Sequence, residues 1–192
     1  MPVLMKTNNE QPLIVLDNNR AVITNRKTRI ELESSDKNLT IAFYNDKNEK
    51  LIEANISDFD FEHIDDNDYR LKAEFQAPKN EKLFGMGQYQ NGRFDLKNSV
   101  LPLYQENKQV SVPYVISSRD YGFFWHNPSI GQAEFTNDKM IWTADCTEKI
   151  DLWVVAENTP KDLMRAYSNV TGKAPVFLRN GNQYDLVKQI GD

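Results

Sequence analysis

The sequence predicts an all-β fold, an antiparallel β-sandwich with one short C-terminal α-helix. Three observations carry this. Apolar and polar residues alternate with a period of two in several separate runs, as half-buried antiparallel strands require. Clusters of Asp and Asn punctuate those runs as turns, at Asp17-Asn18-Asn19, Asn45-Asp46-Lys47-Asn48, Asp65-Asp66-Asn67-Asp68 and Asn137-Asp138. Only one stretch, near the C-terminus, has helical spacing together with helix caps.

In chain order, a short apolar run LIVL starts at Leu13. TRIELE follows, with Ile30 and Leu32 between charges, and then LTIAF with Leu39, Ile41 and Phe43 on one face. YRLKAEF, with Tyr69, Leu71, Ala73 and Phe75, is the cleanest alternation in the chain. Val110, Val112, Tyr114 and Ile116 alternate in VSVPYVI. YGFFW at Tyr121, KMIWTA at Lys139 and IDLWVVA at Ile150 are the remaining strands, the last two apolar enough to be central in a sheet. The acidic cluster Asp58, Asp60, Glu62, Asp65, Asp66 and Asp68 reads as a solvated edge and turn, because the glycine and closing glutamate of a calcium loop are missing.

The helix is signalled in NTPKDLMRAYSNVTGK. Thr159 suits the N-cap, Pro160 the first helical position, and Asp162 the first turn near the positive end of the helix dipole. Leu163, Met164, Tyr167 and Val170 form the expected apolar stripe and Gly172 ends the helix. The expected organisation is a β-sandwich domain over residues 1–158, the helix over 159–172 and a divergent tail over 173–192 that has too few apolar residues for a core of its own.

Composition narrows the function. Aromatic residues at 11% imply a packed core rather than disorder. A net charge of −5 leaves no basic excess to neutralise phosphates, which argues against nucleic acid as a partner. Hydrophobic runs are short and broken by charge, so no membrane association is expected, and the opening MPVLMKTNNE lacks the apolar core of a signal peptide. One cysteine, Cys146, and two histidines, His63 and His126, support neither a disulfide nor a metal cluster. The expectation is a cytoplasmic protein without cofactor or metal.

The segment Glu81–Pro128 is the least generic. Gly85, Gly87 and Gly92 surround Gln88, Gln90 and Asn91, without the spacing of a phosphate loop. Sharp turns presenting amides suit sugar hydroxyls, since an amide both donates and accepts. Tyr89, Phe94, Tyr104 and Trp125 have faces on which a sugar ring can stack, although core and turn roles explain the same residue types.

Several motifs in this segment occur together and in order. They are Phe84-Gly85-Met86-Gly87-Gln88, Gln105-Glu106-Asn107, Val112-Pro113-Tyr114, Ser117-Ser118-Arg119-Asp120-Tyr121-Gly122 and Asn127-Pro128, followed by Tyr167, Thr171, Gly172 and Pro175 at the end of the helix. Over roughly residues 12–175 the chain resembles the N-terminal domain of family 31 glycoside hydrolases, the α-glucosidases and α-xylosidases. Gln88, Gln90 and Gly92 make it most similar to the α-xylosidase-like branch.

The resemblance implies a galactose-mutarotase-like β-sandwich that precedes a (β/α)8 barrel acting on α-linked oligosaccharides, and further strands upstream of Gln11. After Pro175 the sequence departs from the family, since Val176-Phe177-Leu178-Arg179 stands where a Trp-containing lead into the barrel is expected. Residues 176–192 are far too few for a barrel, which needs about 250 residues. Retaining hydrolysis needs two carboxylates about 5–5.5 Å apart, and no acidic residue here lies in the family's catalytic motifs, so no catalytic residue is assigned and the chain alone is expected to be inactive.

Residue by residue, the resemblance implies a loop, Asn98–Gln109, that reaches over the barrel mouth and is ordered by barrel contacts. Asn107 occupies the family's acidic sugar-contact position, with Gln105 beside it. Asn107 as a plain turn residue is an equal reading. Gln88 and Gln90 are expected to brace the loop from below, while Trp125 falls to the core and His126 to the surface.

Three functions remain open. The first is an accessory domain supplying a substrate-site loop and a packing surface to a catalytic barrel. The second is a free-standing carbohydrate-binding module. The third, a sugar mutarotase, needs a histidine and a glutamate converging on the ring. Bare surface around the helix also leads us to expect self-association.

Overall fold

The computed structural model describes residues 11–36 and 38–173. The expected strands upstream of Gln11 and the tail beyond Lys173 lie outside the described residues.

Among the described residues, fourteen strands form two antiparallel sheets. The strands are β1 Leu13–Asp17, β2 Arg20–Asn25, β3 Thr28–Ser35, β4 Asn38–Tyr44, β5 Lys50–Asn55, β6 Phe59–Asp65, β7 Asp68–Gln76, β8 Leu83–Gln88, β9 Ser99–Pro102, β10 Val110–Ser117, β11 Tyr121–Trp125, β12 Gln132–Phe135, β13 Lys139–Thr147 and β14 Leu152–Ala156. The helix α1 is Pro160–Thr171. The larger sheet has ten strands in the order β1-β2-β3-β4-β5-β7-β13-β12-β9, with β6 hairpinned onto β7, and the smaller has four in the order β14-β11-β10-β8. This is the predicted sandwich, with one α-helix among the described residues.

The two sheets meet through aromatic residues. Phe75 of β7 packs edge-on against Phe123 of β11 at 5.1 Å between ring centroids, and Trp142 of β13 stacks on both Phe123 (5.2 Å) and Trp125 (5.9 Å). The alternation in β7 does what the period predicts, burying Leu71, Ala73 and Phe75 while Arg70 and Lys72 face water. Trp125 is core, as expected.

Two expectations change. KMIWTA is central, since β13 lies between β7 and β12, but IDLWVVA supplies β14, an edge strand whose residues before Ala156 are only half-buried. Its apolar character serves a groove rather than a sheet centre. In α1, Leu163 is fully buried, whereas Met164 is exposed. The packed stripe is Leu163, Ala166, Tyr167 and Val170, the spacing that holds one face over two turns.

The cap forms as the sequence predicts. Thr159 Oγ1 accepts from the Asp162 amide at 3.2 Å and donates to the Asp162 carboxylate at 2.7 Å. The helix docks because Tyr114 stacks on Tyr167 at 4.4 Å and its hydroxyl donates to the Leu163 carbonyl at 3.1 Å. Burial drives the Tyr114 phenol well above the usual tyrosine range, so it remains a donor.

Candidate functional site

The glycine-rich motif is a strand, not the amide-presenting loop that the residue types suggest. β8 runs antiparallel to β10 with Leu83, Phe84 and Gly85 opposite Ser117, Ile116 and Val115, and then Gly87 and Gln88 opposite Ser111 and Val110. Between Ser111 and Val115 the register shifts, so β10 bulges at Val112-Pro113-Tyr114. Proline has no N–H to give to a ladder and suits such a bulge.

The bulge explains the glycines. Gly85, Met86 and Gly87 all have positive φ, at 108°, 67° and 93°. A Cβ on Gly85 would lie 2.6 Å from the Tyr114 carbonyl oxygen, and one on Gly87 would lie 2.2 Å from that of Val110. Backbone approaches backbone too closely for any side chain there. The bulge also turns Tyr114 towards α1. Gly122 accommodates it, since a Cβ there would sit 2.1 Å from the Tyr114 hydroxyl. Three motifs separated in sequence are therefore one packing unit.

The turn Ser117–Tyr121 ties the sheets together. The Ser117 hydroxyl donates to the Glu81 carboxylate, and the Arg119 guanidinium donates to the Leu51 carbonyl at 2.8 Å and to the Lys50 carbonyl. Asp120 takes a φ of 61°, which an aspartate tolerates better than most residues.

The rim loop between β9 and β10 is clamped by its own side chains. Gln105 spans the loop, its Nε2 donating to the Ser111 carbonyl at 2.7 Å while its Oε1 accepts from the Ser111 amide at 2.9 Å. Gln109 Nε2 donates to the Tyr104 carbonyl at 3.0 Å, and its amide donates to the Glu106 carbonyl at 3.2 Å. Asn107 and Lys108 form the exposed turn between Glu106 and Gln109. On the approach to β9, Arg93 donates to the carbonyls of Lys97 and Asn98, each at 3.1 Å. The Lys97 ammonium donates to the carbonyls of Pro78 and Asn137, each at 3.2 Å, and burial lowers its pKa. The sequence offers more to hold this loop than its polar composition suggests, because the polar side chains bond the loop's own backbone.

The brace beneath the loop is Tyr89. Its hydroxyl donates to the Pro102 carbonyl at 2.7 Å and bonds the Ser111 hydroxyl at 2.8 Å. Burial raises its pKa, and the Ser111 bond partly offsets this. Gln88 and Gln90 are exposed, and among the described residues neither side chain bonds the loop. Gln88 contributes through its backbone, opposite Val110. The signal for Tyr89 was present in Gln88-Tyr89-Gln90, where an aromatic between two exposed amides turns inward on the opposite face.

Of the other aromatics considered, Phe94 is 84% exposed and leans on Phe84 at 4.8 Å, and Tyr104 is 42% exposed. His63 Nε2 lies 3.0 Å from the Asp66 carbonyl and His126 Nδ1 lies 3.0 Å from Asp151 Oδ2, neither among the rim residues. Among the described residues, no three His, Cys, Asp or Glu side chains cluster as metal ligands. Among the described residues, no helix is long and apolar enough to cross a membrane.

The structure is thus a two-sheet antiparallel β-sandwich domain with a self-clamped rim loop. The comparisons agree. The glycosyl hydrolase 31 N-terminal galactose mutarotase-like domain matches residues 3–133, and the chain belongs to that family. It is 41% identical over 116 residues, 60% of this chain and 22% of its relative, to an uncharacterized family 31 glucosidase, ORF2, of Pseudescherichia vulneris. It is 27% identical over 118 residues, 57% of this chain and 16% of its relative, to the α-xylosidase of Saccharolobus solfataricus. A family 31 α-xylosidase from a soil metagenome, solved with xylose, superposes with a TM-score of 0.82 at 27% identity over 91% of this chain and 29% of its own. The chain therefore spans less than a third of the length of these relatives, and no catalytic barrel lies within its 192 residues.

Proposed function

We propose that this domain supplies half of a sugar site, holding a preformed rim loop against an α-linked oligosaccharide in a pocket that a catalytic (β/α)8 barrel completes. The observation that carries this reading is the Gln105 clamp, which fixes the loop without a partner and leaves Asn107 at its exposed tip. Asn107 offers a donor and an acceptor to sugar hydroxyls. Gln105 spends one N–H and one lone pair on Ser111 and keeps one of each for the same sugar. Gln88 supports the loop through its backbone, and Gln90 flanks it. The sandwich and the packing surface around the lead-in helix α1 serve the junction with the barrel.

A binding module of its own is the second reading, favoured by the exposed Phe94 propped on Phe84. Mutarotase chemistry finds no support at the rim, because both histidines are engaged elsewhere. Self-association and a cytoplasmic location belong to the proposal. Leu13, Ile14, Val15 and Leu16 of the edge strand β1 are all exposed, an apolar edge of the kind that recruits a second copy. Sedimentation over a range of concentrations reads that association directly.

The functional test is a domain exchange. Residues 11–173 replace the matching domain of the soil-metagenome α-xylosidase, and hydrolysis of an aryl α-xyloside is followed. The chain alone is expected to release nothing. The chimera is expected to turn over, and Asn107→Ala in it to lower kcat/KM about tenfold, on the order of one hydrogen bond to a hydroxyl. A chimera indifferent to Asn107→Ala contradicts the assignment.

A further inference from the structure

Among the described residues the two sheets end on five edge strands, and four of these carry a device that discourages a further strand. β6 carries Asp60, Glu62 and Asp65. β9 is four residues long and ends on Pro102, which has no N–H and whose carbonyl accepts from Tyr89. In β8 the Leu83 amide donates to Asp95 Oδ1 at 3.2 Å, and the Leu83 carbonyl accepts from the Leu96 amide at 2.8 Å. In β14 the Ala156 amide donates to Thr28 Oγ1 at 2.9 Å. The fifth edge, β1, differs. Leu13, Ile14, Val15 and Leu16 carry no charge, are between 53% and 75% exposed, and pair with β2 in an unbroken register.

The ladder fixes which backbone groups this edge presents. The Ser34 amide donates to the Asn19 carbonyl at 2.8 Å, which continues the β2–β3 register. Asn19, Ala21 and Ile23 therefore bond β3, and the alternate residues Arg20, Val22 and Thr24 bond Asp17, Val15 and Leu13 of β1. The N–H and C=O of Ile14 and Leu16 point away from β2. Their side chains continue an apolar row across the sheet, since Ile14 lies opposite Ile23 and then Ile30, and Leu16 opposite Ala21 and then Leu32.

One register makes this edge complementary to itself. In an antiparallel pair of two copies, outward groups must meet outward groups. A two-fold axis at Val15 puts Ile14 of each copy opposite Leu16 of the other, and both residues exchange both of their bonds. An axis at Ile14 would put Pro12, which has no N–H, opposite Leu16, and an axis at Leu16 would put Ile14 opposite Asn18 in the β1–β2 turn. The Val15 axis also sets Ile14 beside Leu16 of the second copy, so the apolar row runs on from one sheet into the next.

We propose that two copies of this chain join edge to edge through β1, antiparallel about a two-fold axis at Val15, and so fuse their large sheets into one. This rests on the self-association reading and adds its partner surface and register. An isologous contact of this kind closes at two copies. A single strand edge buries much less than the roughly 800 Å² per partner of a standard interface, so the pairing is weak, with a dissociation constant on the order of 100 μM.

Sedimentation and cross-linking test the proposal on the full chain. Leu16→Lys should raise the dissociation constant about tenfold or more, while Val100→Lys, on the other end strand β9, should leave it unchanged. In a Cys146→Ser background, Val15→Cys places two thiols across a non-hydrogen-bonded pair, with Cα atoms about 4.5 Å apart and within disulfide range. With diamide as oxidant it should form a linked dimer about tenfold faster than Leu13→Cys, which faces Asp17 of the second copy rather than its own equivalent. This second measurement keeps the test decisive if Leu16→Lys folds poorly. A chain that stays monomeric at millimolar concentration overturns both the pairing and the self-association reading. Association that survives Leu16→Lys, with Val15→Cys linking no faster than Leu13→Cys, overturns the pairing alone.

Discussion

The rim loop and the β14 edge are both places where strands end and backbone must find partners, and they solve the problem in opposite ways. At the rim, Gln105, Gln109 and Tyr89 bond the loop backbone from within, and Asn107 is left at the tip with its side chain available. Along β14, the outward amide of Ala156 donates to Thr28 Oγ1, and Leu152 and Val154 line a groove. The first region is shaped before anything binds. The second is an edge with no further strand beside it among the described residues. In this domain the polar loop is held from within, whereas the small sheet ends on an open edge beside a groove.

The largest expected effect breaks the platform beneath the rim. Gly87→Ala forces a Cβ to 2.2 Å from the Val110 carbonyl oxygen at a φ of 93°. Strain and clash together should cost about 3–5 kcal/mol, lowering the urea midpoint and freeing the loop. Gln105→Ala removes both bonds to Ser111, exposes the clamp to water and should cost about 1–3 kcal/mol. Its signature is faster exchange of the Ser111 amide with no change at Val154, which separates the two regions. Tyr89→Phe removes the bond to the Pro102 carbonyl and should cost about 1 kcal/mol in the same place.

Much of the fold can be read in the sequence where one rule decides. In β7, each of Leu71, Ala73 and Phe75 follows from the period of two, and in α1 the Thr159 cap follows from residue type. The glycine motif resists because its cause is not local. Gly85 and Gly87 are required by carbonyls of Tyr114 and Val110, more than twenty residues away in sequence, and no pattern within β8 shows that approach. β14 reads as central for a related reason, since its apolar face looks onto a groove instead of a neighbouring strand. At the rim, composition shows polar residues but not whether their amides face solvent or their own backbone, so Gln105 reads as a contact while the structure shows its amide clamping Ser111. Tyr89 is inferable only once the alternation of β8 is known to continue past Gln88.

Smaller effects lie away from both regions and serve as controls. Lys139 at 2.5 Å and Lys72 at 2.6 Å hold the Glu74 carboxyl below its ordinary value of 4.5, the Lys139 bond contributing most. A lowered carboxylate stabilises the fold fully above its unfolded value and loses that contribution as pH falls through the folded one. Glu74→Gln should therefore flatten the fall in stability below pH 4.5 while leaving the exchange of Ser111 and Val154 unchanged. Asn107→Ala should shift the urea midpoint least, by no more than about 0.5 kcal/mol, because an exposed turn side chain carries little of the fold.

The most direct test of the half-site is a sugar titration of the isolated chain followed by amide chemical shifts. Half a pocket leaves most of a sugar in water, so xylose and glucose should produce small shifts confined to Gln105, Asn107 and Lys108, without saturation below the millimolar range. Saturable binding in the micromolar range, above all with shifts centred on Phe94, would contradict this account and make the domain a sugar-binding module in its own right.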